Sequence, residues 1–222
     1  MVQFSAVILD DLTAPKLSLL NSCGAPDVPE LPNYHGSLVL NQAFGPGKYK
    51  EPAKVLLLNF LRRLRSATEE YRSGRGNLKR YISALPQHEL GYFNRALVHF
   101  EDCILNANVA IVCLNGLGTY LHSSDPSVPS VFNPGDGSDY DRLRLLSNRI
   151  KHFDEDIIDA ARSGALNMPV APVWITNDGL EASSASLRFT ELADILTAQA
   201  SDAKAFAEDF FNEHRAQKNP PA

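Results

Sequence analysis

Between residues 52 and 213, apolar side chains return at intervals of three and four along four stretches of the chain, and this spacing constrains the fold more than any other feature. A three-and-four interval puts side chains on one side of an α-helix. In the first stretch the stripe is Leu57, Leu61, Leu64, Thr68 and Tyr71, with Pro52 placed for the first turn. Ser73-Gly74-Arg75-Gly76-Asn77 interrupts it, and a short helix from Leu78 to Leu85 follows. The second stretch runs from about Glu89 to Leu114 with Phe93, Ala96, Leu97, Phe100, Ile104, Ala107 and Ile111 on one side. A third covers Asp139 to Arg162, striped by Leu143, Leu146, Ile150, Phe153 and Ile157. The fourth covers Leu187 to Glu213, with Phe189, Leu192, Ile195, Leu196, Phe206 and Phe210. Helices apolar on one side only bury those sides against each other. The expected fold is therefore mainly α, a four-helix up-down bundle over residues 51–216, with a frayed tail at 217–222.

The first fifty residues read differently. They hold Pro15, Pro26, Pro29, Pro32 and Pro46, and proline fixes φ and removes a backbone donor, so no long helix runs through them. They form an irregular, Pro-rich N-terminal arm, with two short strands, packed on the bundle. Ser123 to Asp139 is a loop by its prolines and glycines. Val170 to Thr176 is a short extended segment before the last helix, closed by the turn signal Asn177-Asp178-Gly179 and anchored by Trp174.

Charge and motif content narrow the chemistry. A net charge of −5 over 222 residues opposes coating of DNA by bulk positive charge. Cys23, Cys103 and Cys113 include no CxxC pair, which fits a reducing cytoplasm and no structural zinc; Cys103 and Cys113 serve as small core residues. The six histidines show no metal-ligand spacing, and His99 beside Phe100 reads as a structural histidine. No phosphate loop, dinucleotide fingerprint or hydrolase elbow is present. The expectation is no metal and no cofactor. No basic residue precedes the short apolar run Ala6–Leu9, and longer apolar runs are cut by charge, so neither a secretory leader nor a membrane span is expected.

The stretch Leu146-Ser147-Asn148-Arg149-Ile150-Lys151-His152-Phe153 carries the most chemical information. At about 100° per residue, Arg144, Asn148, Lys151, His152 and Glu155 fall opposite the apolar stripe, so the imidazole points away from the interior with Asn148 one turn before it. Asn148 to Phe153 on the third helix of a four-helix bundle resembles the HEPN superfamily, whose motif is an arginine followed after four to six residues by a histidine. The resemblance covers about Glu51 to Glu213. It implies a homodimer in which the motif helices of two copies face each other, and metal-independent attack of an RNA 2′-hydroxyl on the adjacent phosphate. By resemblance His152 is the acid/base group and Asn148 sets the groove. The usual arginine position is Ser147 here, so Arg149 or Arg144 would supply the cation for the phosphorane.

Seven cations lie between Arg62 and Arg80, against two acids, Glu69 and Glu70. Arg62, Arg63 and Arg65, together with Lys151, are the expected RNA contacts, with Tyr71 and Tyr81 placed to stack on bases. The acidic run Asp154-Glu155-Asp156 works against RNA. Two readings result. One is an RNA-binding protein or endoribonuclease of a toxin–antitoxin or defence system, with an antitoxin among its partners. The other is a non-catalytic module binding a protein or nucleotide through the same outward face.

Overall fold

A computed structural model describes residues 14–36, 52–85, 89–121, 133–163, 171–183 and 185–218. The protein is mainly helical. The helices are α1 (Ala14–Leu19), α2 (Ala53–Ser83), α3 (Leu90–Leu121), α4 (Asp139–Lys151), α5 (Phe153–Arg162) and α6 (Phe189–Lys218). Three short strands, β1 (Trp174–Ile175), β2 (Gly179–Glu181) and β3 (Ser186–Arg188), form an antiparallel sheet in the order β1-β2-β3.

The two longest helices form an antiparallel hairpin. Pairs run in opposite senses along it: Leu56 meets Gly116, Arg63 meets Asn106, Glu70 meets His99 and Tyr81 meets Phe93. The apolar stripe read from α2 is buried, with Leu57, Leu61, Leu64 and Tyr71 all in the core. That of α3 is buried at Phe93, Ala96, Phe100, Ile104, Ala107 and Ile111. α6 lies along α2 in the opposite direction, with Phe206 edge-on to Phe60 and Phe189 against Phe100. Burying side chains of this size stabilises by roughly 2 kcal/mol each.

Several boundaries differ from the sequence reading. α2 does not stop at Ser73 but continues to Ser83. Gly74 is the reason it can: it faces the Phe100 ring, and a β-carbon there would lie 3.2 Å from the ring atoms. What read as a helix breaker is a close approach between helices. α3 likewise runs past Leu114 to Leu121. By length and composition Leu90–Tyr120 is apolar enough to cross a membrane, contrary to the expectation of no such span, although 44% of its apolar window is buried inside the protein.

The third helix is not continuous. α4 ends at Lys151, His152 sits at φ −109° and ψ 21°, and α5 starts at Phe153. Leu143 and Leu146 are fully buried, but Phe153 and Ile157 stay half-buried outside the core and Ile158 is 47% exposed. The lower half of the expected stripe thus turns away from the interior.

Asn177-Asp178-Gly179 does form a turn. It leads into β2 and β3, strands the sequence reading had not assigned; that reading began the last helix at Leu187, inside β3. Trp174 anchors β1 as expected, edge-on to Phe93 at 5.7 Å with the Lys16 ammonium 5.0 Å from its ring centre. The arm residues 14–36 contain α1, irregular chain and a helical turn at 34–36; the two expected strands are not among these described residues. The arm lies on α2, where Tyr71 Oη donates to the Pro26 carbonyl and Arg75 Nε to the Ala25 carbonyl. Of the expected loop, residues 123–132 lie outside the described residues, as do 219–222 of the tail and the side chain of Phe210; α6 carries 217 and 218.

Candidate functional site

α4 begins in a tightly bonded turn. Gly135 and Gly137 take φ values of +87° and +74°, which favour glycine. Ser138 caps the helix by accepting from the Asp141 amide at 3.2 Å. The Asp141 carboxylate is buried and accepts from the Gly135 amide at 3.0 Å and from Arg144 Nε and Nη2 at 3.0 and 2.8 Å. The Gly135 amide first, then Arg144, holds this carboxyl below its usual range. Arg144 is therefore a structural clamp on the turn.

Further along α4, Ser147 is fully buried and its hydroxyl has no hydrogen-bond partner. The position where the HEPN motif most often has arginine is thus part of the core. Arg149 also turns inward: its side chain is 19% exposed and pairs with Asp156 on α5. The pair spans the helix break, so seven residues of separation become one contact because the chain bends at His152. Sequence spacing pointed to Arg149 as a cation beside the histidine. The bend gives it to Asp156 instead.

Asn148, Lys151 and His152 are exposed. The His152 amide donates to the Asn148 carbonyl at 3.1 Å, and its carbonyl accepts from the Asp156 amide at 3.2 Å. The imidazole Nδ1 lies 3.1 Å from Glu155 Oε1. The side chain the structure places against the ring is thus Glu155, and the two arginines considered for the site, Arg144 and Arg149, are paired to Asp141 and Asp156.

The cations of α2 are placed elsewhere. Arg62 Nη2 donates to Asn59 Oδ1, Arg63 Nη1 to Asn106 Oδ1 and Arg65 Nε to Glu69 Oε1, at 2.8, 2.8 and 2.7 Å. None of these partners lies on α4 or α5. Arg72 and Arg75 pair with Glu30 and Asp27 of the arm. Tyr71 and Tyr81, expected to stack on bases, are fully buried against Phe100 and Phe93 and present no face to a ligand. Tyr71 belongs to the stripe read from the sequence, so its periodicity already placed it inside; Tyr81 joins the same buried side because α2 continues past Ser73.

Other expectations fare differently. His99 is structural, with Nδ1 2.6 Å from Glu70 Oε2. Cys103 is fully buried and burial pushes its thiol up; Cys23 and Cys113 are half-buried, and all three are free thiols. Among the described residues, no group of three histidine, cysteine or acidic side chains is placed to hold a metal. The chain matches no family model, no curated protein and no solved structure.

Sequence reasoning missed two organising residues. Glu191 accepts from the Arg188 amide and guanidinium and pairs with Arg142 at 3.0 Å, joining α4 to the start of α6. Burial pushes its carboxyl up, but the two arginines outweigh this and leave it low. Asn177 joins the arm to the sheet. Its signal, an Asn-Asp-Gly turn, was legible; its partners more than 150 residues away were not.

Proposed function

We propose that this chain is a HEPN-like helical module, with α2, α3, α6 and the broken α4–α5 standing for the four helices, that binds a basic protein surface through the α4–α5 corner. The observation that carries this reading is the pairing of Arg149 with Asp156 and of Arg144 with Asp141. It leaves His152 beside Glu155 with Arg144 and Arg149 both engaged, and a phosphorane formed there would lack the cation that offsets its charge. Asp154 and Glu155, with Lys151 beside them and Asp159 already paired to Arg162 at 3.5 Å, leave the corner a net negative field. Such a surface repels phosphate and attracts lysine and arginine. Beside it, Phe153, Ile157 and Ile158 offer apolar area that the core does not use, so a partner gains contact area as well as charge pairing.

The second reading, a metal-independent endoribonuclease centred on His152 and Asn148, is favoured by the exposure of both side chains. One experiment separates the two. Labelled single-stranded RNA incubated with the protein in EDTA stays intact on the proposed reading, and a lysine-rich peptide binds with an affinity that falls as salt rises. That binding is lost in the double variant Asp154→Lys/Glu155→Lys. RNA cleavage that disappears in His152→Ala, with the helical circular dichroism unchanged, overturns the proposal in favour of the enzyme.

A further inference from the structure

α3 is apolar on two sides. One side is the core stripe; on the other, Val98 and Val112 are 54% and 58% exposed, and Leu105 and Val109 are half-buried. Val98, Leu105 and Val112 recur every seven residues, with Val109 between, which is the spacing of a helix–helix seam. The stripe runs about 21 Å along the helix. Val98 and Val112 stand at equal distances on either side of Leu105. Two antiparallel copies related by a two-fold axis at Leu105 would therefore set Val98 against Val112 at both ends and Leu105 against itself.

The charges beside the stripe differ between its ends, with the exception of Arg95, whose guanidinium lies 5.5 Å from the Tyr92 ring centre. At the Val98 end lie Glu70, bonded to His99, and Asp102, close enough to feel both. Toward the Val112 end lie Arg63, bonded to Asn106, and Arg62, which with Arg63 acts on the Cys113 thiol. Antiparallel pairing brings the acidic end of each copy over the basic end of the other. Parallel pairing would oppose like charges, at a cost.

We infer that α3 is the seam of an antiparallel homodimer, closed by Val98, Leu105, Val109 and Val112 and oriented by Glu70 and Asp102 against the partner's Arg62 and the partner's Arg63. This surface is separate from the α4–α5 corner and does not depend on the reading given to it. A single helix pair of this length covers less than the roughly 1,600 Å² of a standard interface, so the dimer dissociates in the micromolar range.

Sedimentation equilibrium from about 1 to about 200 µM spans that range. The wild type passes from monomer to dimer, and Val98→Asp or Val112→Asp raises the dissociation constant at least about tenfold with unchanged circular dichroism. Asp102→Arg and Arg62→Glu each weaken the dimer, and the double swap restores it. Cross-linking with a short bis-maleimide, in a Cys23→Ser/Cys113→Ser background, reads the direction. Leu105→Cys links to its own copy, Val98→Cys alone does not, and Val98→Cys/Val112→Cys does. A monomer throughout the range, a dimer in which Leu105→Cys fails to link, or monomeric binding to phosphatidylcholine–phosphatidylglycerol vesicles that Val98→Asp abolishes would each overturn the inference.

Discussion

At the scale of single residues, burial and a neighbouring charge act together at Glu101. It lies on α3 beside Asp102, and burial first, then the Asp102 charge, pushes its carboxyl up to about 7. In the unfolded chain it titrates near 4.5. Between these values the folded protein holds the proton and the unfolded chain has released it, so stability falls as pH rises from about 4.5 to about 7 and is level above. Glu101→Gln removes that loss. Its advantage over wild type grows by about 2 kcal/mol between pH 5 and pH 8, read from urea unfolding at both values. An advantage independent of pH would show that Glu101 is not strained by burial. Arg149 shows the converse, a partly buried cation held by one carboxylate. The sequence placed it on the histidine's helix, but its partner became visible only with the bend at His152.

At the scale of elements, two glycines do work that composition reads as interruption. Gly179 opens β2, and a β-carbon on it would lie 2.4 Å from the Leu187 carbonyl oxygen and 2.8 Å from the Arg188 α-carbon. Neither backbone atom can yield without breaking the β2–β3 pairing. At Gly74 the obstacle is the Phe100 ring at 3.2 Å, itself fixed between Tyr71 and Phe189. Alanine there gains about 1 kcal/mol of helix propensity that partly offsets the crowding. Gly179→Ala is therefore expected to cost about 3 kcal/mol or more and Gly74→Ala about 1 kcal/mol, both by denaturant midpoint. The reverse ranking would show that the sheet tolerates displacement better than the hairpin. The heptad row on α3 is the element-scale signal that was present in the sequence and overlooked, because the stronger core stripe of the same helix accounts for its apolar content.

At the scale of the molecule, one side chain ties the arm to the sheet, in addition to the contacts the arm makes with α2. Asn177 Oδ1 accepts from the Asn21 and Ser22 amides, both at 3.0 Å, and its Nδ2 donates to the Leu19 carbonyl at 3.1 Å. Asn177→Ala removes all three while leaving the Gly24 amide on the Asn177 carbonyl. The expected outcome is faster proteolysis within residues 14–36 and a loss of about 1–2 kcal/mol, with the helices intact. Cleavage at the wild-type rate would mean that Leu20, Ala25, Val28 and Leu31, all buried, suffice to hold the arm.

The amino-acid sequence by itself determined the helical class, the residues that enter the core from α2, α3 and α6, and the exposure of His152. Those properties follow from spacing within a few turns, where each residue meets neighbours three and four positions away. The tertiary structure decided the break at His152, the capture of Arg149 by Asp156 and of Arg63 by Asn106, the burial of the hydroxyl of Ser147, and the small sheet that receives the arm. Each depends on groups brought together by the path of the whole backbone, and a side chain's charge is free for chemistry only when that path leaves it without a closer partner.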